Sequence, residues 1–340
     1  MKKKVALVTG GYTGELEISL KSAKNVYQKI DKEKYDTYII SLTKKGWIYR
    51  DNEKDETFKI DLNDFSLTLY GTKILFDVAF IVLHGSPGED GKLQGYLEML
   101  NIPYTSCDQL SSALTMNKSF TKKIVSDIEN LYLAKELQLY KNKISFSNET
   151  ELGLAFPLIV KTNNGGSSIG ISKINNYNEL DTALDKAFLE CDEVLIEEMI
   201  VGREFSVGIY KDGSDIKVLP ATEIVIEGDL FDFETKYFNN KLKELTPGRL
   251  SLSEIDLMEN VVKKIYQRLN CFGIVRVDFF IEEHSGRFFF LEINTIPGQT
   301  DHSFVPKQIS AASLDITAIY TAQLEAAIYR NAAKHSNVLV

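Results

Sequence analysis

Cysteine is scarce in this sequence. Cys107, Cys191 and Cys271 are the three among 340 residues, with no C-x-x-C pair and no zinc-like spacing. That excludes a disulfide framework and suits a reducing compartment. Long apolar runs are missing as well, and no stretch approaches the roughly 18 residues of a membrane span. The basic start Met1-Lys2-Lys3-Lys4 leads only into Val5-Ala6-Leu7-Val8 before Thr9-Gly10-Gly11. A signal-peptide core needs about 7–15 apolar residues. Basic charge is in deficit, with 39 Lys and Arg against 48 Asp and Glu and a net charge of −9. Neutralising phosphates takes clustered cations, so a general binder of nucleic acid or anionic membrane is excluded. Internal repeats, low-complexity tracts and a Walker A pattern are also absent, and Gly10-Gly11-Tyr12-Thr13-Gly14 lacks the G-x-G-x-x-G spacing. The expectation is a soluble, cytoplasmic globular protein.

What is present is ordinary globular composition, 44% hydrophobic and 26% charged. The length suggests two or three domains and lets a chain bury about three quarters of its unfolded surface. Residues 5–8 read as a buried strand, followed by a Gly-rich turn and a helix with Leu16, Leu20, Ala23, Tyr27 and Ile30 on one face. Strands at 37–42 and, after a polar stretch, 78–83 complete the pattern of a parallel α/β sheet. His84-Gly85 and Gly88-Glu89-Asp90-Gly91 then sit past a strand's carboxyl end, where open α/β sheets bind ligands. Residues 116–128 read as one helix. A strand at 158–161, a small-residue loop, a strand at 169–174, a helix around Leu180, Leu184 and Phe188, and a strand at 194–198 form an α+β unit. Strands follow near 203–209 and 218–226, and then a long aperiodic segment, 228–249, of the length usually reserved for function. Ser253 with Asp256 suggests a helix cap, and Ile255, Met258, Val262, Ile265 and Leu269 share the next helix face.

Two clusters carry chemistry. Strands 276–281 and 288–293 flank Glu283-His284-Ser285-Gly286, a hairpin signal. Alternation puts Arg276 and Asp278 on one face and Glu292 and Asn294 on one face. Pairing across the turn sets Asp278 opposite residue 291 or 292. Asp278, Glu292 and Asn294 are hard oxygen ligands suited to Mg²⁺. The bland alternative is an Arg276–Glu292 salt bridge. The apolar surroundings of these charges favour the metal reading, because charges buried without metal or substrate are costly.

The second cluster is Asn163-Asn164-Gly165-Gly166-Ser167-Ser168-Ile169-Gly170. Gly166-x-Ser168-x-Gly170 matches a nucleophile elbow, with His284 and His302 as possible bases. An elbow passes from strand to helix, however, whereas the residues after it alternate like a strand. The other reading is a hairpin whose backbone N–H groups close over nucleotide phosphates, with Lys161 reaching them from the strand before.

Taken together, the motifs resemble the D-alanine–D-alanine ligases of the ATP-grasp superfamily. They run in order from Gly10-Gly11 through Glu15-x-Glu17-x-Ser19 and Leu83-His84-Gly85 with Gly88-Glu89-Asp90-Gly91 to Leu114-Thr115-Met116-Asn117-Lys118. They continue with Val160-Lys161 through Gly166-Ser167-Ser168-x-Gly170, Glu234-Thr235-Lys236-Tyr237, Arg276-x-Asp278, and Glu292-Ile293-Asn294-Thr295 through Pro297-Gly298. The resemblance implies an α/β ATP-grasp fold: an N-terminal parallel α/β (pre-ATP-grasp) domain, 1–107, and two α+β domains clasping ATP, 108–197 and 198–340. It implies ATP-dependent joining of two D-alanine molecules through a D-alanyl phosphate, for peptidoglycan precursor synthesis, by a homodimer.

By the same resemblance, Lys118 and Lys161 would hold ATP phosphates beneath the loop that carries Ser168. Glu197, Glu198 and Ile200 would hold adenine, and Glu204 the ribose. Asp278, Glu292 and Asn294 would bind two Mg²⁺ ions, or Mn²⁺. Glu15 would meet the ammonium of the first D-alanine and join Ser167 and Tyr237 in pinning the 228–249 lid. Lys236 would reach the transferred phosphate, His84 the first substrate, and Ser303 the second substrate's carboxylate, with Phe304 beside it. Arg276 and the Gly298 N–H would serve the oxyanion. Leu16, Asn117, Thr162 and Phe304 depart from the commoner Arg, Asp, Pro and aliphatic residue. A D-serine-accepting ligase and a non-catalytic ATP-grasp nucleotide binder are the alternatives.

Overall fold

Strand β1 (Lys3–Gly10) leads through a Gly-rich turn into α1 (Leu16–Lys29), and β2 (Tyr35–Thr43) then lies parallel to β1. The polar stretch that follows is not loop. It forms the antiparallel strands β3 (Gly46–Asp51), β4 (Glu56–Asp61), β5 (Ser66–Leu69) and β6 (Thr72–Ile74) before β7 (Val78–Ile81) returns parallel to β1. The sheet order is β6-β5-β4-β3-β2-β1-β7, so only its β2-β1-β7 side is parallel. The computed structural model describes residues 1–141, 146, 149–165, 170–226 and 242–336.

The apolar run of β1 has a direct physical reason. Val5 and Leu7 enter one core with Ala23 and Val26 of α1, while Ala6 and Val8 enter the opposite core with Ile40, Leu42, Leu93 and Leu97. Burying each such Val or Leu side chain is worth about 1.5–3 kcal/mol.

The face expected of α1 is a different one. Leu16, Leu20 and Tyr27 are exposed, whereas Ser19, Ser22, Ala23, Asn25 and Val26 are buried. The helix turns polar residues inward because they bond to the site loops, and hydrophobic periodicity cannot register that.

After β7, α2 (Lys92–Met99) packs near α3 (Gln109–Met116). The helix expected at 116–128 is broken at Asn117, which closes α3 and caps α4 (Lys118–Val125) by accepting the Phe120 N–H at 2.9 Å. Next, β8 (Leu131–Tyr132) joins the third sheet, and Val125, Ile128 and Leu131 share that sheet's core.

The second sheet has the order β11-β10-β12-β9. It comprises β9 (Glu136–Tyr140), β10 (Leu158–Thr162), β11 (Ser172–Ile174) and, after α5 (Leu180–Glu190), β12 (Glu193–Glu198). The third sheet continues with β13 (Gly202–Asp212), β14 (Asp215–Val218), β15 (Thr222–Ile226) and β16 (Leu242–Leu245). The strand expected over 218–226 is therefore two strands. Residues 228–241 of the aperiodic segment lie outside the described residues.

Helix α6 (Leu252–Arg268) is capped by Ser251, two residues before the expected cap Ser253. Ser251 accepts the Glu254 N–H and Glu254 accepts the Ser251 N–H at 2.7 Å, a reciprocal capping box. The hairpin forms as β17 (Val275–Glu282) and β18 (Phe288–Asn294). Helices α7 (Phe304–Ala311) and α8 (Ile316–Ser336) close the described chain. Val305 and Ile309 of α7 and Tyr320 and Leu324 of α8 enter the same core as Val5 and Leu7. The first and third sheets are thus locked together by one hydrophobic cluster. Among the described residues no helix is long and apolar enough to cross a membrane.

Candidate active site

A cleft of about 930 Å³ opens where the three sheets meet. Glu15, His84, Arg276, Gly298, Ser303 and Phe304 line it, and so do Lys118, Lys161, Glu197, Glu198, Ile200 and Glu204. Asp278, Glu292 and Asn294 complete the set, which leaves Ser167, Ser168, Lys236 and Tyr237 outside the described residues.

The hairpin places its polar groups as alternation requires. Asp278 pairs with Glu292 and Arg276 with Asn294, and a bulge follows between Asp278 and Phe279. Arg276 grips Asp278 bidentately, Nε to Oδ1 at 2.9 Å and Nη2 to Oδ2 at 2.7 Å. The Arg276–Glu292 bridge considered as an alternative is not the pairing found. Glu292 instead faces Lys118 Nζ at 3.3 Å. Burial would raise the Glu292 carboxyl, but Lys118, Lys161 and Arg276 outweigh it and hold the pKa below the ordinary value. Ser206 on β13 donates to Asp278 Oδ1 at 2.6 Å, and Asn294 Nδ2 lies 3.3 Å from Oδ2.

These oxygen-bearing side chains suit a hard divalent cation. Among the described residues no three His, Cys, Asp or Glu side chains form a cage by themselves. A cation here would therefore draw further ligands from water and phosphate, as Mg²⁺ does.

On the opposite wall, Lys161 at the end of β10 bonds Glu197 Oε2 at 2.8 Å. Lys122 bonds the other Glu197 oxygen and reaches Glu136 at 2.9 Å. Burial alone would raise Glu197, yet the two lysines hold it down to about 2. Burial lowers the Lys161 pKa despite Glu197. Lys118, first residue of α4, donates to the Gly165 carbonyl at 2.6 Å. Two lysines thus point into the cleft beside the start of the small-residue loop, as a polyphosphate would need.

The end near the first sheet is built on tight turns. Gly85 has φ +68°, and a Cβ there would stand 2.8 Å from Glu15 Oε2. Only glycine lets the His84-Gly85 turn pass so close to that carboxylate. His84 is buried, its Nδ1 2.8 Å from the Ile296 carbonyl and its Nε2 3.2 Å from Ser22 Oγ. Burial lowers its pKa and keeps the ring neutral. A Cβ on Gly298 would meet Ser303 Oγ at 2.6 Å. The Arg276 guanidinium carbon lies 5.5 Å from the Phe304 ring centre.

Three residues of this site are given no role by the sequence reading. Glu89 lines the cleft and accepts the Gly85 N–H at 2.8 Å, and burial together with the nearby Glu15 pushes it up to about 8. Its segment is legible as a motif past a strand end, but the sequence assigns its carboxyl no role. Lys122 lies one helical turn after Lys118, a spacing that could have found it. Ser206 pairs in register with Asp278, which only strand pairing reveals.

Lysines on α4 and β10 thus confront carboxylates on the third sheet across one cleft, beside an open α/β layer. That is the ATP-grasp arrangement, and the protein is of this class of ATP-dependent, carbon–nitrogen bond-forming ligases. Residues 4–107 match the family described as D-ala D-ala ligase N-terminus, and residues 118–325 match D-ala D-ala ligase C-terminus. A D-alanine–D-alanine ligase of Azobacteroides pseudotrichonymphae is 43% identical over 95% of this chain and 99% of its own length. One from Parabacteroides distasonis is 41% identical over 96% and 97%. Among solved structures, the D-alanine–D-alanine ligase of Coxiella burnetii aligns with TM-score 0.87 at 26% identity, covering 99% of this chain and 97% of that one. The VanG D-Ala:D-Ser ligase of Enterococcus faecalis aligns with TM-score 0.85 at 32% identity, over 96% and 99%. The chain belongs to the D-alanine–D-alanine ligase family.

Proposed function

We propose that the cleft activates the carboxylate of one D-alanine with ATP and joins it to the amine of a second, giving D-alanyl-D-alanine, ADP and phosphate. The observation that carries this reading is the meeting, in one cavity, of a lysine wall, a carboxylate hairpin and a neutral histidine beside Glu15. A carboxylate is a poor electrophile, so it is first turned into an acyl phosphate.

Lys118 and Lys161 hold the phosphates of ATP, a transfer that is chiefly positioning and charge neutralisation. Glu197, Glu198 and Ile200 seat the adenine and Glu204 the ribose. Asp278, Glu292 and Asn294 are the residues that would hold two Mg²⁺ ions, or Mn²⁺, whose charge would offset that of the phosphates. Glu15 receives the ammonium of the first D-alanine, with His84 alongside. Ser303 takes the carboxylate of the second, next to Phe304. Arg276 and the Gly298 N–H receive the oxyanion formed when the second amine attacks. Lys236, Ser167, Ser168 and Tyr237 complete the site in this proposal.

In this reading the chain comprises units 1–107, 108–197 and 198–340 and acts in the cytoplasm as a homodimer, an assembly that sedimentation velocity tests.

The test is phosphate release from Mg·ATP with D-alanine beside L-alanine, with the product identified by mass. Release with D-alanine alone, and a dipeptide mass, supports the ligase. ATP binding without release overturns it in favour of a nucleotide binder. A second reading, D-serine as the second substrate, is favoured by the likeness to a D-Ala:D-Ser ligase and by Phe304 in the cleft. A mixed D-alanyl-D-serine mass at equal substrate concentrations decides for it.

A further inference from the structure

The turn 296–299, which carries Gly298, is held at both ends by residues of the first sheet's layer. The Ile296 carbonyl can only accept, so the proton of His84 sits on Nδ1, 2.8 Å away. Nε2 of the neutral ring is then an acceptor, and the Ser22 hydroxyl, 3.2 Å distant, donates to it. The same Ser22 oxygen accepts the Gln299 N–H at 3.1 Å. The hydrogen bonds therefore run one way around a closed ring, from Gln299 N–H to Ser22, from Ser22 to His84, and from His84 to Ile296. All four residues are buried. Water cannot substitute for a missing member, and an unpaired group there bears its full desolvation cost.

A second grip falls on the same residue. Asn25 Nδ2 donates to the Gln299 carbonyl at 2.6 Å, and Tyr320 OH donates to Gln299 Oε1 at 2.9 Å. The Gln299 side-chain amide turns back to the Pro297 carbonyl at 3.1 Å. Both Ser22 and Asn25 lie on the inward face of α1, which is not the face that apolar periodicity picks out. Their polar atoms are spent on this turn.

We propose that Ser22 is a positioning residue for the ligation step. By closing the ring from α1 it fixes the 296–299 turn, and with it the direction of the Gly298 N–H. This rests on the reading of Gly298 as an oxyanion donor. An oxyanion donor works only when it is already aimed before charge develops, within roughly half an ångström. Without the Ser22 hydroxyl, the Gln299 N–H and His84 Nε2 lose their shared partner and the turn gains a rotation about its ends. The proposal separates two halves of the reaction. Acyl phosphate formation takes place at the phosphates and does not use the Gly298 donor, whereas amine attack does.

The experiment uses the full chain with Ser22→Ala. Dipeptide synthesis is measured together with positional isotope exchange in labelled ATP, which reports reversible acyl phosphate formation alone. The expected result is a fall in kcat for dipeptide of about tenfold or more, while the exchange rate and the KM for ATP stay within twofold. Asn25→Ala opens the turn from its carbonyl side and is expected to give the same split, so the test survives if Ser22→Ala does not fold. Unchanged kcat in both variants overturns the proposal. So does an equal loss of exchange and synthesis, which would make Ser22 a general packing residue. A wild-type chain that forms no dipeptide points instead to failure of the ligase reading, and that is seen before any variant is made.

Discussion

Asp278 and Glu292 face each other across the β17–β18 ladder, yet each is neutralised by a different cation from a different part of the chain. Arg276, two residues along the same strand, takes Asp278, and Lys118 from α4 takes Glu292. Two carboxylates therefore stand side by side in one hairpin, each answered by its own cation. The arrangement also ties the groups that would meet metal to the groups that would meet phosphate and oxyanion.

Arg276→Ala is expected to reduce turnover by about 2.7–4 kcal/mol, the scale of losing one oxyanion donor, with ATP affinity largely kept. Steady-state kcat and ATP binding by calorimetry check it. An equal loss in both would assign Arg276 to nucleotide binding instead.

Lys122→Met removes the shared partner of Glu197, which is buried, and Glu136, which is partly exposed. Breaking a buried ion pair from one side costs up to about 3–5 kcal/mol; Lys161 still answers Glu197, so the loss comes from the one carboxylate left in excess. Denaturant unfolding should show that loss. A drop below 1 kcal/mol would mean that the carboxylates find other partners.

Glu89 sets a pH dependence whose sign follows from its raised pKa of about 8. The folded chain keeps the proton that the unfolded chain gives up near the ordinary carboxylate value, 4.5. This contribution to stability is whole below the unfolded pKa and is lost as pH rises toward 8. Glu89→Gln should flatten the decline of unfolding free energy over that window. An unchanged slope would remove Glu89 as its source.

Gly85→Ala introduces a methyl group against Glu15 at a backbone angle of φ +68°. The strained conformation should cost about 1 kcal/mol or more in stability. Displacing Glu15 should raise the KM for the first D-alanine several-fold, with the KM for ATP held. Product assays across both substrate concentrations separate the two effects.

Part of this molecule was open to reading from its residues alone. The hairpin register at Asp278 and Glu292, the buried strand at 5–8 and the strand entering the Lys161 loop follow from alternation and apolar runs, which are local properties. The face of α1 did not, because Ser19, Ser22 and Asn25 are turned inward by partners far along the chain. The antiparallel strands between 43 and 77 escaped for a similar reason. Their core side chains, such as Ile60 and Leu67, are sparse among charged residues and become a pattern only when the strands pair.

The sequence by itself determined the family, the order of the motifs and the kind of chemistry that each residue can do, because those depend on residue type and spacing. Tertiary structure alone decided which charge answers which. Lys122 could have been one more surface lysine on α4, and Glu89 one more loop carboxylate. The carboxylates of Glu197 and Glu136 outweigh burial and make the first a fixed cation, and burial beside Glu15 makes the second a proton holder. Desolvation and the distance between charges set those states, and both arise only when segments remote in the chain are packed together.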